Sequence, residues 1–332
     1  TEYMSKLWAT GYDFPAIEKK WVTKKLLPNG DIAPGQSFII NLRRDKFSDV
    51  KVRKAIGLMF NFEWSNKTLF YDLYARINSF WENSDMAAIG KPSKEEINIL
   101  REFESILPKN LINSEVAEVS VSSTKQLDRN NLRKASKLLD EAGWDVGNDG
   151  LRRNSNGDTL DIEILNDSQA FTRIIEPFIE NLKSLGVNAK HTKIDNAQMT
   201  ERERSFDFDI VTGNFPMSFT PGSGLKQYFG SETADVSIFN KAGIKDEAID
   251  KLIQVVMAAK TREELKISVR ALDRVLRSFY FWIPQWYKNV HTVAYYDFYE
   301  HPENLPPYDM GLLDFWWMNE TKFSDLKEKG AF

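Results

Sequence analysis

Residue types that make and break bonds are sparse in this chain. It has no cysteine and only three histidines, His191, His291 and His301. The lack of cysteine excludes disulfides, a thiolate nucleophile and a Cys-ligated metal. None of the histidines has a second His or a Cys at ligand spacing, so no zinc-type cluster can be drawn. His191 lies in an alternating stretch and is expected to point outward, exposed and inert. Asp145, Gly147, Asp149 and Gly150 imitate the start of a calcium loop, but Asn156 stands at the twelfth position, where a bidentate Glu is required. Gly222-Ser223-Gly224 lacks the trailing Gly-Lys-Ser/Thr of a phosphate loop. There is no Gly-x-Ser-x-Gly elbow, and no nucleophile can be named with a base in reach. The expectation is no catalytic residue, no metal and no cofactor.

Three segments instead carry groups suited to holding a ligand. Arg76-Ile77-Asn78-Ser79-Phe80-Trp81 puts a cation, an amide, a hydroxyl and two aromatics directly after a helix. Asn214-Phe215-Pro216-Met217-Ser218-Phe219-Thr220-Pro221 leaves the end of a predicted strand, where α/β domains place their ligands. Trp286 and Tyr287 follow Trp282 in a third aromatic group, in which Trp282 is the better core residue. The candidate binding residues are therefore Arg76, Asn78, Ser79, Phe80, Trp81, Asn214, Phe215, Met217, Ser218, Phe219, Trp286 and Tyr287. Aromatics make up 13% of the chain, with nine Trp. That serves either a large core or the rigid walls of a cleft.

The elements that must position these residues read as α/β. Leu132, Ala135, Leu138, Leu139 and Ala142 recur at helical spacing, and Gly143 stands where a left-handed cap is wanted. A Gly/Asn-rich hairpin follows, through Gly147–Gly150 and Asn156-Gly157. Leu160–Leu165 alternates as a strand. Ile174, Ile175, Phe178, Ile179, Leu182 and Leu185 form one helix face closed by Gly186, and Val187–Ile194 alternates again. Strand, crossover helix and strand make a right-handed βαβ unit. Gln36–Leu42 and Phe206–Thr212 read as further strands, and the latter runs into the Gly/Pro/Ser loop of residues 213–224. Val52, Ala55, Ile56, Met59 and Phe60 mark a helix capped by Ser48 or Asp49. Lys91–Asn113 reads as a polar helical stretch. One later helix face is Ile249, Leu252, Ile253, Val256 and Met257. A second helix opens on a Thr261/Glu264 capping box and is expected to end at Pro284. Val290–Tyr296 reads as a strand, and residues 302–332 as a loop-rich tail.

At 332 residues the chain has room for two domains. The net charge of −4, with both signs interspersed, gives no electrostatic case for nucleic acid. No apolar run reaches 18 residues.

Several runs, in order, resemble a known family. Leu138–Trp144 (LLDEAGW), the Gly/Asn hairpin and Leu182–Val187 (LKSLGV) are similar to the C-terminal lobe of bacterial extracellular solute-binding proteins of the peptide/nickel class, family 5. Phe47–Tyr71 resembles the start of that lobe. Asn78–Ala88 (NSFWENSDMAA) and Arg270–Lys288 are similar to the YejA-like oligopeptide-binding branch. The resemblance implies an α/β fold with a periplasmic-binding-protein type II lobe of βαβ units and a mixed sheet, plus hinge-crossing segments belonging to the other lobe. It implies a first-lobe segment and hinge run-in at 1–43, the ligand lobe at 44–288, and a return segment at 289–332. Leu42–Phe47 and Ile283–Lys288 are the expected hinge crossings.

In function, the resemblance implies an exported, periplasmic substrate-binding component of an ABC importer. Its partners would be an oligopeptide ligand, an inner-membrane permease and an N-terminal half of the same protein, with the signal peptide lying outside this chain. The alternatives left open are another solute, such as an oligosaccharide or a chelated metal, and a hydrolase. Many peptide binders of the family carry an Asp-Tyr pair, whose Asp holds the peptide's ammonium group, in the loop after the strand. Met217-Ser218-Phe219 stands there instead, without an acid, which puts anchoring of a free amino terminus at this spot in question.

Overall fold

The computed structural model describes residues 1–332. The chain divides into two compact units. The smaller holds Thr1–Asp31, Asn66–Ala75 and Tyr287–Phe332, and the larger holds Ile32–Ser65 and Arg76–Trp286. The first boundary therefore falls at Asp31/Ile32, before the expected 43/44. The reason is the strand Ser37–Ile40, all four residues of which are buried in the middle of the larger unit's sheet. Leu42 likewise stays in the larger unit, its N–H bonded to the Ala242 carbonyl at 2.8 Å.

That sheet has five strands, in the order Asn188–Lys193, Asp161–Asn166, Ile210–Gly213, Ser37–Ile40 and Trp282–Pro284. The first three are mutually parallel, and Ser37–Ile40 runs antiparallel to both of its neighbours. The sheet is thus mixed, as expected. The βαβ unit is present as Asp161–Asn166, the helix Gln169–Ser184 and Asn188–Lys193. The helix buries Ile174, Ile175, Phe178, Ile179 and Leu182. Phe178 meets Phe38 of the strand Ser37–Ile40 and Phe60 at ring separations of 5.2 and 5.7 Å.

The two glycines expected to stop helices do so by one mechanism. Gly143 (φ +78°) and Gly186 (φ +87°) take left-handed conformations. After each, the next N–H reaches back to a carbonyl of the last turn, Trp144 to Leu139 and Val187 to Leu182. This is the pairing of a left-handed C-terminal cap, which satisfies carbonyls the helix itself cannot. Asp49 caps the helix Val50–Leu58 through the Lys51 N–H. Thr261 caps Arg262–Ser278 through the Glu264 N–H, while the Glu264 carboxylate returns to the Lys260 N–H.

Other expectations are corrected. The helix after Lys91 covers only Lys94–Arg101. Beyond it lie single turns at Glu104–Ile106 and Leu111–Asn113, with Pro108 between them unable to continue a helix. The strand near Phe206 begins only at Ile210, because Phe206 has φ +54° in a turn. Pro284 does not end the preceding helix, which stops at Ser278. It closes an edge strand, where the missing N–H is tolerated. His191 is not exposed. It shares a strand face with buried Ala189 beneath the helix Gln169–Ser184, its side chain is 6% exposed, and Nδ1 lies 2.7 Å from Glu176 Oε1.

In the smaller unit Val22–Pro28 pairs antiparallel with Val290–Tyr296, from Val22 opposite Tyr296 to Pro28 opposite Val290. The tail is less irregular than expected. Glu320–Glu328 is a helix capped by Asn319, and Phe323 packs on Phe298 and Phe332. No helix of the chain is long and apolar enough to cross a membrane.

One side chain ties the two outer parallel strands together. Burial alone would raise the Glu163 pKa, but donors from Thr192, Arg202 and Lys190 outweigh it and hold the group at about 2, against 4.5 normally. A depressed folded pKa stabilises fully above the unfolded value. That stability is lost as pH falls from about 4.5 toward 2. With solvent screening allowed for, the contribution is on the order of 1 kcal/mol. Glu163→Gln is expected to be less stable than the parent at pH 7, with the gap closing through this window in urea titrations at stepped pH. A gap that stays constant would contradict the assignment.

Candidate functional site

The register of the sheet brings one group of residues to one end. Asp161–Asn166 and Ile210–Gly213 are parallel neighbours, so the segments leaving them emerge on the same side. Ser37 sits opposite both Gly213 and Pro284. Gln36 and Gln285, each one residue beyond, therefore lie at that same end, as do Asn214 and the start of the helix Gln169–Ser184. Ligands of open α/β sheets bind beyond the carboxyl ends of the parallel strands, because loops there can vary without disturbing the ladder.

Sequence reasoning missed the two glutamines. Gln36 Nε2 donates to Gln285 Oε1 at 2.9 Å, and the Gln285 N–H bonds the Gln36 carbonyl. Gln285 is fully buried, and its Nε2 has no acceptor. Trp286, only 8% exposed, stacks on Phe171 with ring centres 6.0 Å apart and planes 23° apart. Asn214 and Ser218 are exposed, while Met217 and Phe219 are half-buried. Ser218 Oγ accepts from the Thr220 N–H at 3.3 Å. Arg262 holds this loop through the Phe219 carbonyl and is itself paired with Asp85 at 2.9 Å. Tyr287 is half-buried and belongs to the smaller unit.

The segment after Arg76 is fixed by Asp273, a fully buried carboxylate. It accepts from Ser79 Oγ at 2.9 Å, from the Phe80 N–H at 3.0 Å, from the Ala88 N–H at 3.0 Å and from Arg277 at 3.3 Å. Ser79 Oγ accepts in turn from the Trp81 N–H, and Glu82 takes the Asn78 N–H. This clamp seats Phe80 flat on Trp282, 3.9 Å between centres, with Phe215 and Phe229 edge-on at 5.4 and 5.3 Å. Ser79, Phe80, Trp81 and Phe215 are thereby core residues of the larger unit, each no more than 2% exposed. Their expected place was on a ligand-facing loop. The physical reason for the difference is the aromatic cluster, which stacks Trp282 on the Phe80 ring and packs Phe215 and Phe229 against it. A sequence signal for the clamp existed: Asp273 falls between Val269 and Leu276 on the buried face of its helix, and an acid survives there only if it is hydrogen-bonded.

Arg76 and Asn78 are placed differently. They line a cavity of about 220 Å³ together with Gly57, Tyr280 and the edge strand Trp282–Pro284. Arg76 lies over the rings of Phe60 and Phe62, 5.3 and 5.1 Å from their centres. Its Nε and Nη1 are buried without a partner. Burial lowers its pKa from 12.5 to about 10, against a raising influence from Glu63, so it remains a cation at neutral pH.

Comparison with known proteins agrees with this architecture. Residues 9–236 match the family described as bacterial extracellular solute-binding proteins, family 5 middle, and the chain belongs to that family. It is 40% identical over 323 residues to the "Probable peptide-binding protein YejA" of Agrobacterium fabrum, covering 96% of this chain and 52% of that protein. It is 34% identical to the uncharacterized protein YejA of Escherichia coli, covering 97% and 53%. The chain spans about half the length of these relatives. Among solved structures, the oligopeptide-binding protein AppA of Bacillus subtilis, in complex with a nonapeptide, superposes with a TM-score of 0.63 at 18% identity, covering 95% of this chain and 57% of that one. At that identity the likeness is one of fold.

Removing the Asp273 charge tests the clamp. Asp273→Asn turns one acceptor oxygen into a donor facing other donors and leaves Arg277 short of its counter-charge. Breaking a buried pair in this way costs about 3–5 kcal/mol. Urea unfolding is expected to show that loss, and hydrogen exchange should accelerate at the amides of Phe80, Trp81 and Ala88. A loss below about 1 kcal/mol would mean the clamp is not what fixes the segment.

Proposed function

We propose that this chain is part of a periplasmic peptide-binding protein that captures oligopeptides by closure of two lobes and hands them to the membrane permease of an ABC importer. The observation that carries the reading is the 40% identity, along 96% of the chain, to a protein named as a probable peptide-binding protein. The carboxyl end of the sheet supports it chemically. Gln36 and Asn214 offer amide donors and acceptors matched to peptide groups, and the buried Gln285 fixes Gln36 by accepting from its Nε2. Amide pairing with a peptide backbone is indifferent to side chains, which suits a carrier of many sequences. Trp286 on Phe171 supplies a flat apolar wall. Binding and release are the work of such a site, and bond cleavage is not required of it.

The loop Met217-Ser218-Phe219 holds no carboxylate. An unpaired ammonium group is costly to bury, so the site is expected to accept peptides without demanding a free amino terminus. Native mass spectrometry of freshly purified protein should show retained oligopeptides. Calorimetry should give similar affinities for acetylated and free peptides. Ser218→Asp should shift preference toward the free amino terminus by about tenfold, the worth of a charge-assisted hydrogen bond. Retention of a sugar or a metal chelate in place of peptide would overturn the peptide reading. Unchanged preference in Ser218→Asp would remove Ser218 from the site.

A further inference from the structure

The cavity beside Arg76 shares no residue with the group at the carboxyl end of the sheet. All three residues of the edge strand Trp282–Pro284 line it, facing the helix Val50–Leu58. Its lining is largely apolar, with Leu58, Val119, Leu138, Trp282, Ile283 and Pro284. At about 220 Å³ it exceeds the roughly 150 Å³ cavity that admits a benzene ring, so a ring with a short arm fits and a peptide of several residues does not.

Two features bear on what this space could hold, the open volume at Gly57 and an arginine in the lining with two unbonded nitrogens. Gly57 stands in the interior of the helix, where Gly costs about 1 kcal/mol relative to Ala. A Cβ built there would meet only Ile283 Cγ1, at 3.9 Å, so the glycine leaves volume that a side chain would otherwise fill. Four cationic residues line the cavity, and they are not equivalent. Arg53 is bonded to the carbonyls of Phe47, Ser48 and Phe279, and Arg277 to those of Ala88 and Ala117 as well as to Asp273. Arg76 has Nε and Nη1 buried with no acceptor. Lys54 forms no ion pair, and its Nζ lies 4.5 Å from the centre of the Tyr280 ring. The one acid in the lining, Glu118, is exposed.

We infer that this cavity is a second binding site, for a small organic carboxylate with an aromatic or branched apolar body. The carboxylate pairs with the Arg76 guanidinium, and the apolar body occupies the space over Gly57 against Ile283 and Leu58. A guanidinium presents two N–H groups in the plane that a carboxylate accepts, and buried charge-assisted pairs of this kind are the strong ones. The neutral amide of the same shape fills the volume equally but leaves the cation unpaired. Discrimination by charge at constant shape is therefore the signature of the site. The inference does not depend on the peptide reading, since no residue is common to the two.

Calorimetry and thermal shift on the intact protein test it, with phenylacetate as probe and phenylacetamide as its neutral match. Phenylacetate is expected to bind at least about tenfold more tightly than the amide. Gly57→Leu, which fills the cavity, should abolish phenylacetate binding while leaving peptide affinity unchanged. Arg76→Met should bring acid and amide to equal affinity, and this arm stands even if the leucine variant does not fold. Equal binding of acid and amide by the parent protein would overturn the inference. So would phenylacetate binding that survives Gly57→Leu, or no binding of phenylacetate at all. Loss of peptide binding in Gly57→Leu together with loss of phenylacetate would show one site where two are inferred.

Discussion

A single buried carboxylate organises the larger unit. Asp273 is fully enclosed, and a charge in that position is sustained only by the donors that converge on it from Ser79, Phe80, Ala88 and Arg277. Replacing such a cluster by well-packed apolar residues would not necessarily destabilise the fold. Its contribution is geometric. Two backbone amides and a hydroxyl separated by nine residues of loop are gathered onto one point of the helix Arg262–Ser278. Phe80 is thereby held flat against Trp282. The same helix reaches Gly90 and Glu96 through Arg274, and Ala117 through Arg277. Five charged side chains of this one helix, Arg262, Arg270, Asp273, Arg274 and Arg277, hold the stretch between residues 78 and 117, whose own secondary structure is one short helix and two single turns.

This use of charge recurs. Arg43 bonds the carbonyls of Asn240 and Lys241, and Arg152 those of Trp144 and Leu185. Arg53 gathers Phe47, Ser48 and Phe279. A planar guanidinium with five donors in a fixed fork can close several loop carbonyls at once, where a lysine has three donors on a single nitrogen. Loops that would otherwise bury unsatisfied carbonyls are accommodated in this way. Arg76 departs from the pattern, because two of its buried nitrogens close nothing within the chain. Among these arginines it is the one with buried nitrogens left unbonded.

The parts of the fold that were legible in the sequence are those set by local rules. Gly143 and Gly186 announced left-handed caps, Asp49 and Thr261 announced helix starts, and the alternation of Leu160–Leu165 and Val187–Ile194 announced the βαβ strands. What local rules could not give were contacts between distant segments. Phe80 and Phe215 look alike whether they wall a cleft or fill a core, and only their meeting with Trp282 and Phe229 decides between the two. His191 reads as an outward residue until the helix carrying Glu176 covers its face. Gln36 and Gln285 carry no signal singly, since their pairing exists only through the antiparallel register of Ser37 with Pro284. Asp273 was the exception that could have been read, as an acid on an apolar helix face.

That register has a further consequence. The edge strand Trp282–Pro284 is only three residues long, and Pro284 denies it a donor at its last position. A slip of one residue against Ser37–Ile40 would exchange the two faces of the strand itself. With Ser37 opposite Pro284, the next residues, Gln285 and Trp286, are delivered to the carboxyl end of the parallel strands. Meanwhile the strand itself lines the cavity opposite Gly57. A shift of one residue would carry Gln285 into the ladder, break its bond to Gln36 and turn Ile283 away from the helix Val50–Leu58. One short strand, stacked through Trp282 on the Phe80 ring that Asp273 holds, thus sets the geometry of the amide group at the sheet end and of the guanidinium-lined cavity beside it.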